Sequence, residues 1–284
     1  MTQAGNGANE AQARLWNARA GEVWVEQQSM LDRLFQPFEQ RLAEAVRQYG
    51  AADVLDVGCG AGATSLAVAR DLGDRGRCTG VDISAPLIEA ARRRAETAGL
   101  DNCRFIAADA QQHAFEPGVF DAVISRFGIM FFDDPVAAFA NLGRAARPDA
   151  GLAVIAWRDA GENPFMTAAE RAAGPLLPEL PPRDPGAPGQ FAFADAERVR
   201  GLLTAAGWRD VDIQPIDVAC TLSRDDLEVY LARMGPVGGL LPDLDEARRD
   251  GVLAAVRQAF EAYVTDDTAH FTAACWLIQA RNAG

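Results

Sequence analysis

Lysine is absent from this 284-residue sequence, in which all 27 basic side chains are arginines. A Schiff-base enzyme needs a lysine amine, and a P-loop places a lysine against nucleotide phosphates. The composition therefore argues against pyridoxal-phosphate chemistry and P-loop nucleotide hydrolysis.

Cysteine and histidine are also scarce, with five cysteines and two histidines. The cysteines are widely spaced and never form a C-x-x-C pair, so we expect buried free thiols. Two histidines supply too few ligands for a His/Cys metal cluster, and we expect no metal. The cysteines are Cys59, Cys78, Cys103, Cys220 and Cys275.

The charge balance is strongly acidic, with 40 acids against 27 bases and a net charge of −13. Nucleic acid would be repelled, and the basic run ARRRAE (91–96) is too short for a binding arm. No apolar run of about 18 residues is free of charge, and the polar start lacks the layout of a secretory signal. We therefore expect a cytoplasmic protein without a nucleic-acid partner or membrane insertion.

Strand-like and helix-like segments alternate from residue 54 onward, which predicts an α/β fold with a parallel sheet covered on both faces. Residues 9–48 precede the sheet and have the apolar spacing of two helices. Ser84 and Asp134 are placed as N-caps of two of the connecting helices. The predicted strands are 54–57, 78–83, 103–108, 119–125 and 152–157.

Beyond Trp157 the pattern changes. Residues 159–193 are rich in proline and glycine and predict a loop-rich insertion. A helix at 195–206, a strand at 208–220 and a strand at 270–280 follow. Two helices predicted within 222–266 resemble a lid, the first opened by Ser223. We interpret 1–50 as a helical cap and 51–284 as one ligand-binding domain that carries both insertions.

The segment VLDVGCGAGATSLAVA (54–69) places Gly58, Gly60 and Gly62 directly after a strand and before a helix. Glycines there allow a tight turn and close approach of a ligand, although dinucleotide-binding folds use a similar turn. Asp56 lies two residues before the first glycine, where a carboxylate would repel a pyrophosphate but suit a cationic amino group. This acid disfavours an NAD-dependent oxidoreductase.

Three further polar residues end neighbouring strands. Asp82 in VDIS is placed to bind ribose hydroxyls, Asp109 in FIAADAQ ends the next strand, and Ser125 ends the one after. Because open α/β folds bind ligands at the carboxyl ends of their strands, we expect these side chains to gather at one site.

Residues 50–160 as a whole resemble class I S-adenosylmethionine (SAM)-dependent methyltransferases, through VLDVGCGAG, GVDIS, AADAQ and FDAVISRFGIMFFDDP. The last segment is most similar to ubiquinone/menaquinone-type and related small-molecule enzymes. The resemblance implies a Rossmann-like, doubly wound, seven-stranded sheet of order 3-2-1-4-5-7-6 with the last strand antiparallel. It also implies SAM-binding roles: Asp56, Gly58 and Gly60 at the methionine part, Asp82 and Ile83 at the ribose, Asp109 and Ala110 at the adenine, and Ser125 near the sulfonium.

Methyl transfer from a sulfonium requires alignment and exclusion of water more than acid or base chemistry. If the acceptor must lose a proton, His113 and His270 are the candidate bases, although both can be structural. Arg126 either holds an acceptor carboxylate or phenolate, as a catalytic or binding residue, or pairs with Asp133 or Asp134.

The remaining candidates are apolar side chains. Phe127, Met130 and Phe131 could line an acceptor cavity, and Met234 could join them from the lid, but such side chains more often fill a core. Trp24 is expected either to contact SAM or to pack between helices. The favoured function is methylation of a small organic acceptor at O, C or N, and the alternative is a SAM sensor or partner-binding pseudoenzyme. A homodimer remains open.

Overall fold

A computed structural model describes residues 8–178 and 187–284 of the chain. Its centre is a sheet whose strands β1 to β5 are parallel to one another. Strand boundaries follow the sequence prediction closely, and β5 begins earlier than predicted. The strands are β1 (Asp53–Val57), β2 (Arg77–Asp82), β3 (Cys103–Ala107), β4 (Phe120–Arg126), β5 (Ala146–Trp157), β6 (Trp208–Ser223), β7 (Val264–Thr265) and β8 (Thr268–Asn282).

The predicted strand order is confirmed, with β8 in the place of the seventh strand: β3-β2-β1-β4-β5-β8-β6. Strand β8 runs antiparallel to both of its neighbours. The count is eight because the two-residue strand β7 forms a short hairpin with β8.

Helices cover both faces of the sheet. The chain runs from β1 through β2 to β3 towards one edge of the sheet, and from β4 to β5 towards the other edge. Because connections between parallel strands are right-handed, helices α4 and α5 lie on one face of the sheet and α6 lies on the opposite face. Ser84 and Asp134 cap α5 and α6 as predicted. The helices are α1 (Ala8–Trp16), α2 (Arg19–Glu26), α3 (Gln28–Tyr49), α4 (Ala63–Leu72), α5 (Ala85–Ala98), α6 (Pro135–Ala145), α7 (Pro164–Ala173), α8 (Ala196–Ala205), α9 (Arg224–Arg233), α10 (Gly235–Leu240) and α11 (Glu246–Phe260).

The N-terminal region contains three helices where the sequence predicted two. The break between α1 and α2 falls at Asn17, whose side-chain amide donates to Ile83 O at 2.9 Å and accepts from Ala85 N at 2.8 Å. This is a tertiary contact, which apolar spacing does not reveal. Residues 1–7 lie outside the described residues. They begin the polar segment that, in sequence, lacks the layout of a secretory signal.

Both predicted insertions leave the sheet at its carboxyl edge, because α7 follows β5 and α9 follows β6. The loop-rich segment 159–193 contains the regular helix α7, and its part 179–186 lies outside the described residues. The predicted lid helices are α9 and α11, with α10 between them. Ion pairs tie α9 to the N-terminal helices, one between Arg33 and Asp226 at 2.7 Å and one between Arg233 and Glu26.

The described residues include no helix that is long and apolar enough to cross a membrane. All five cysteines are buried and free, as predicted. Burial raises the pKa of the Cys103 thiol to about 12, so this side chain stays protonated at neutral pH.

Asn163 joins α7 to the sheet. Its side chain is fully buried, its Nδ2 donates to Ala274 O at 2.9 Å, and its Oδ1 accepts from Ala274 N at 2.9 Å. Replacing it with alanine leaves the backbone N–H of Ala274 without its partner, at about 1–3 kcal/mol, whereas Ala274 O still accepts from Arg158 N at 3.0 Å. We expect Asn163→Ala to lower the free energy of unfolding by roughly 1–3 kcal/mol in urea denaturation. Thr167→Ala, at a half-buried position, is the control on α7, and an equal effect of the two substitutions would contradict the role of Asn163.

Candidate functional site

The glycine turn after β1 contains two glycines with different roles. Both have positive φ, 67° at Gly58 and 55° at Gly60. A Cβ at Gly58 would lie 2.5 Å from the Cα of Gly128, whereas a Cβ at Gly60 would meet no described atom within 4 Å. Gly58 therefore allows two backbone segments to touch, and Gly60 borders open space that a ligand can occupy.

Asp56 at the end of β1 is the most unusual polar side chain of the site. It is 1% exposed, its Oδ2 accepts from Ser65 Oγ at 2.6 Å, and its Oδ1 has no hydrogen-bond partner among the described residues. Burial raises its pKa to about 6, against the opposing effects of the Ser65 hydrogen bond and the Arg126 charge. An ionised buried carboxylate with a free oxygen is suited to a cationic ligand group.

Asp82 at the end of β2 braces the same turn. Its Oδ2 accepts from Gly60 N at 2.8 Å and its Oδ1 from Ser84 N at 2.8 Å. Burial raises the pKa of this carboxyl, and the backbone hydrogen bonds oppose that shift. Because a carboxylate can accept about four hydrogen bonds, Asp82 keeps capacity for the hydroxyls of a ribose. Ile83 follows it, with its carbonyl held by Asn17.

Asp109 lies beneath helix α1. Its Oδ1 accepts from Gln111 N at 2.9 Å and its Oδ2 from Asn9 Nδ2 at 2.6 Å, and Asn9 Oδ1 in turn accepts from Asp133 N at 3.1 Å. Ala110 beside it is buried. Helix α1 thus closes over the end of the sheet where the adenine was predicted to bind, and Asn9 and Asn17 anchor it.

Ser125 has a structural contact that the sequence did not reveal. It is fully buried, its Oγ donates to Val57 O at 2.6 Å, and the same oxygen accepts from Gly128 N at 3.2 Å. The hydroxyl therefore holds the end of β4 and the following loop against β1. Its predicted place near a sulfonium stays a prediction.

Arg126 has a different partner from the two that the sequence suggested. Its Nη1 lies 2.8 Å from Glu39 Oε1 on α3, so pairing with Asp133 or Asp134 is wrong. Each side chain of this pair is 13% exposed, and the guanidinium also lies 5.5 Å from the ring centre of Phe35. Burial raises the pKa of Glu39, and the charge of Arg126 opposes that shift.

A polar face of α3 lies beside the glycine turn, and its acidic residues Asp32 and Glu39 were missed. Gln28, Asp32 and Glu39 lie one, two or three helical turns apart, and Asp32 pairs with Arg94, which also donates to Ala61 O in the glycine turn. The helical spacing of these three polar residues beside an apolar stripe was the signal that could have found them.

Of the predicted acceptor residues, Phe127 forms an aromatic wall with Phe35 and Trp157. Phe127 has a φ of 63° and stacks on Trp157 with ring centres 4.3 Å apart. Its strained backbone conformation is of the kind that proteins concentrate at functional sites. Phe35 packs edge-on against Phe127 at 5.5 Å. Both phenylalanines remain half-buried, so they can present ring surface to an acceptor.

The other apolar candidates differ in exposure. Met130 is buried in the core, whereas Phe131 and Met234 are half-buried. Trp24 and Phe131 both pack edge-on against Trp16, at 5.6 and 5.7 Å. The helix-packing role of Trp24 is thus present, and cofactor contact by this side chain stays a prediction.

The structure places the two histidines apart from each other. His113 is half-buried with its ring 4.6 Å from Phe115, and His270 is exposed on β8 opposite Thr221. These surroundings favour structural or surface roles over proton transfer. Within the described ranges, no group of three or more His, Cys, Asp or Glu side chains could hold a metal ion.

The residues at the carboxyl edge fit SAM. Asp56 offers a buried free oxygen to a cation, Asp82 offers acceptor capacity to a diol, and Gly60 leaves room for the ligand. A pyrophosphate in the same turn would face the charge of Asp56.

Comparison with known proteins gives the same indication. Residues 54–149 match the family described as "Methyltransferase domain". The chain is similar to nocamycin O-methyltransferase of Saccharothrix syringae, with 31% identity over 62% of this chain and 66% of that protein. It is also similar to aklanonic acid methyltransferase DauC of Streptomyces sp. (strain C5), with 34% identity over 42% of this chain and 56% of that protein. The chain thus spans less than two thirds of the length of these relatives.

A solved structure shares the fold. The YcgJ protein from Bacillus subtilis superposes with a TM-score of 0.57 and 20% identity, covering 87% of this chain and 98% of that one. At this identity the likeness establishes the fold alone.

Proposed function

The chain belongs to the class I SAM-dependent methyltransferase superfamily, and on that premise we propose that it transfers a methyl group from SAM to an O, C or N atom of a small organic acceptor. The single observation that carries the proposal is the buried Oδ1 of Asp56 beside the glycine turn, which has no hydrogen-bond partner within residues 8–178 and 187–284. It supports a cationic donor because an unpaired buried carboxylate is costly unless a positive group meets it.

Small organic acceptors are supported by the names of the two relatives, which refer to nocamycin and aklanonic acid. The aromatic wall of Phe35, Phe127 and Trp157 supports an acceptor with apolar surface. The net charge of −13 disfavours a polyanionic acceptor.

SAM, when bound, supplies an electrophilic methyl group on a sulfonium that is already a good leaving group. The protein's part is to hold donor and acceptor in line and to keep water out, which can lower a barrier by roughly 7–11 kcal/mol. Asp56 would hold the ammonium, Asp82 would fix the ribose, and α1 would cover the adenine end. Helix α9, tied to the N-terminal helices by its ion pairs, would cover the acceptor end.

Isothermal titration calorimetry with SAM and with S-adenosylhomocysteine tests the donor directly. We expect dissociation constants in the micromolar range, and binding weaker than about 1 mM for both would defeat the proposal. Mass-spectrometric screening of a metabolite extract with isotope-labelled SAM would then identify the acceptor. SAM binding without transfer to any acceptor would favour a sensor instead.

Asp82→Asn is expected to weaken SAM binding by about 1.5–3 kcal/mol, the usual contribution of hydrogen bonds to a charged group. Asparagine keeps the size of the side chain but replaces one acceptor oxygen by a donor, so it pairs less well with two hydroxyls and two backbone N–H groups. Calorimetry measures the loss, with the exposed Asp101→Asn as control. Equal affinity in Asp82→Asn and wild type would remove Asp82 from the ribose site.

A further inference from the structure

Two carboxylates, those of Glu39 and Asp56, lie near the guanidinium of Arg126. Glu39 reaches Arg126 from α3, with Nη1 and Oε1 2.8 Å apart. Asp56 approaches from β1, where it is opposite Ile124 in the register between β1 and β4. Since side chains two residues apart on a strand share a face, Arg126 points to the same face of the sheet as Ile124 and Asp56. Helix α3 packs on this face beside α4, which supplies Ser65 to Asp56.

Only one of the two carboxylates holds the arginine. Arg126 pairs with Glu39, while Asp56 Oδ1 is without a hydrogen-bond partner in the part of the chain that the structure describes. Yet Arg126 is close enough for its charge to act on the Asp56 carboxyl. A bidentate arginine–carboxylate pair inside a protein is strong when no competing acceptor is present.

We propose that Glu39 is a positioning residue, which holds Arg126 away from Asp56 so that the free oxygen of Asp56 stays available to the cationic end of the donor. The inference rests on the proposed function. Without Glu39, Arg126 would turn to Asp56, neutralise it and occupy the place of the ammonium. With Glu39 present, the three groups together carry one negative charge, which complements the net single positive charge of SAM.

The charges that face these groups come from four elements. Asp56 faces Arg126 on β4, Asp82 on β2 and Glu39 on α3. Glu39 also faces Asp32 on its own helix and Arg94 on α5. Since Asp32 and Arg94 pair with each other, the second pair leaves the balance around Asp56 unchanged.

The test is a double-mutant cycle read by calorimetry with SAM, on folded protein verified by thermal denaturation. Glu39→Gln is expected to weaken SAM binding roughly tenfold or more, because Arg126 would replace the charge-assisted hydrogen bond between Asp56 and the ammonium of SAM. Arg126→Gln removes the competitor and should bind SAM at least as tightly as wild type. The double variant Glu39→Gln/Arg126→Gln should regain wild-type affinity within about threefold, allowing for coupling between neighbouring sites. Glu44→Gln, an exposed position on α3, is the control.

A pH series distinguishes this role from a structural one. In Glu39→Gln, Arg126 would stabilise ionised Asp56, so the acid midpoint of SAM binding should move to lower pH than in wild type. In the double variant the midpoint should move back up. Packing damage alone would change affinity without moving the midpoint.

Several results would overturn the inference. Wild-type affinity in Glu39→Gln, a double variant as weak as Glu39→Gln, or loss of SAM binding in Arg126→Gln would each do so. Should Glu39→Gln fail to fold, the Arg126→Gln result decides. If wild-type protein itself does not bind SAM, the proposed function fails, and the inference with it.

Discussion

Asp56→Asn should weaken SAM binding by roughly 10- to 100-fold and, at the same time, stabilise the free protein. The loss of affinity follows from removal of a buried charged partner of the ammonium, worth about 1.5–3 kcal/mol. The gain in stability follows from burial, which raises the pKa of Asp56 from 3.8 to about 6. Because Asp56 is ionised at neutral pH, this difference in pKa lowers the free energy of unfolding by roughly 3 kcal/mol, at about 1.4 kcal/mol per pKa unit.

The pH dependence of these two properties has opposite signs. A carboxyl whose pKa is higher in the folded state stabilises the fold most below its unfolded value of 3.8, and this contribution is lost as pH rises through about 6. The free wild-type protein should therefore lose stability over that range through Asp56, whereas its SAM affinity should increase as the carboxyl ionises. Asp56→Asn should lose both dependences. Differential scanning fluorimetry and calorimetry at pH 5 to 8 measure them.

Asp121 provides the matched control at the opposite end of the sheet. Burial raises its pKa, but hydrogen bonds from Asp53 N and Arg147 outweigh that effect and leave the pKa below the ordinary value. Asp121→Asn should therefore destabilise the protein and leave SAM affinity unchanged. A destabilised Asp56→Asn variant, or one that binds SAM normally, would refute the account of Asp56.

Gly58→Ala should destabilise the fold by about 3 kcal/mol or more and abolish SAM binding. The methyl carbon would lie 2.5 Å from Gly128 Cα, and backbone cannot yield as a flexible side chain can. The left-handed φ of 67° adds about 1–2 kcal/mol for a residue with a Cβ. Urea denaturation gives the free energy of unfolding, and circular dichroism verifies residual structure.

Gly60→Ala is the paired variant within the same turn. The Cβ of an alanine at position 60 would meet no described atom within 4 Å, so only the positive φ opposes the substitution. The free energy of unfolding of this variant should therefore fall by only about 1–2 kcal/mol. Its SAM affinity should nevertheless fall strongly because the methyl group enters the space assigned to the ligand. Similar stabilities of the two variants would contradict the different roles assigned to Gly58 and Gly60.

Much of the fold was predictable because its signals are local. The alternation of apolar segments, the caps at Ser84 and Asp134 and the turn glycines each depend on a few consecutive residues. The carboxylates Asp56 and Asp82 could be placed at one edge because parallel strands end there together. Their hydrogen bonds to Ser65, Gly60 and Ser84 agree with that placement.

The contacts that sequence reasoning missed depend on packing between distant segments. The partner of Arg126 is Glu39, on a helix whose position over the sheet cannot be deduced from spacing, and the neighbouring Asp133 and Asp134 were chosen for nearness in sequence alone. Likewise, the break at Asn17 follows from a contact with Ile83 and Ala85. The helix α7 was hidden by the proline-rich composition of the segment around it.

The backbone contact between Gly58 and Gly128 constrains how the sequence of this fold can vary. The glycine turn after β1 and the loop after β4 meet at one point, where neither can carry a side chain. Under the proposed function, substitutions that adapt the protein to new acceptors would spare position 128 and fall on the flanking aromatic residues or on the lid. The turn and the loop are in this way fixed to each other through their backbones, while the side chains around them can vary.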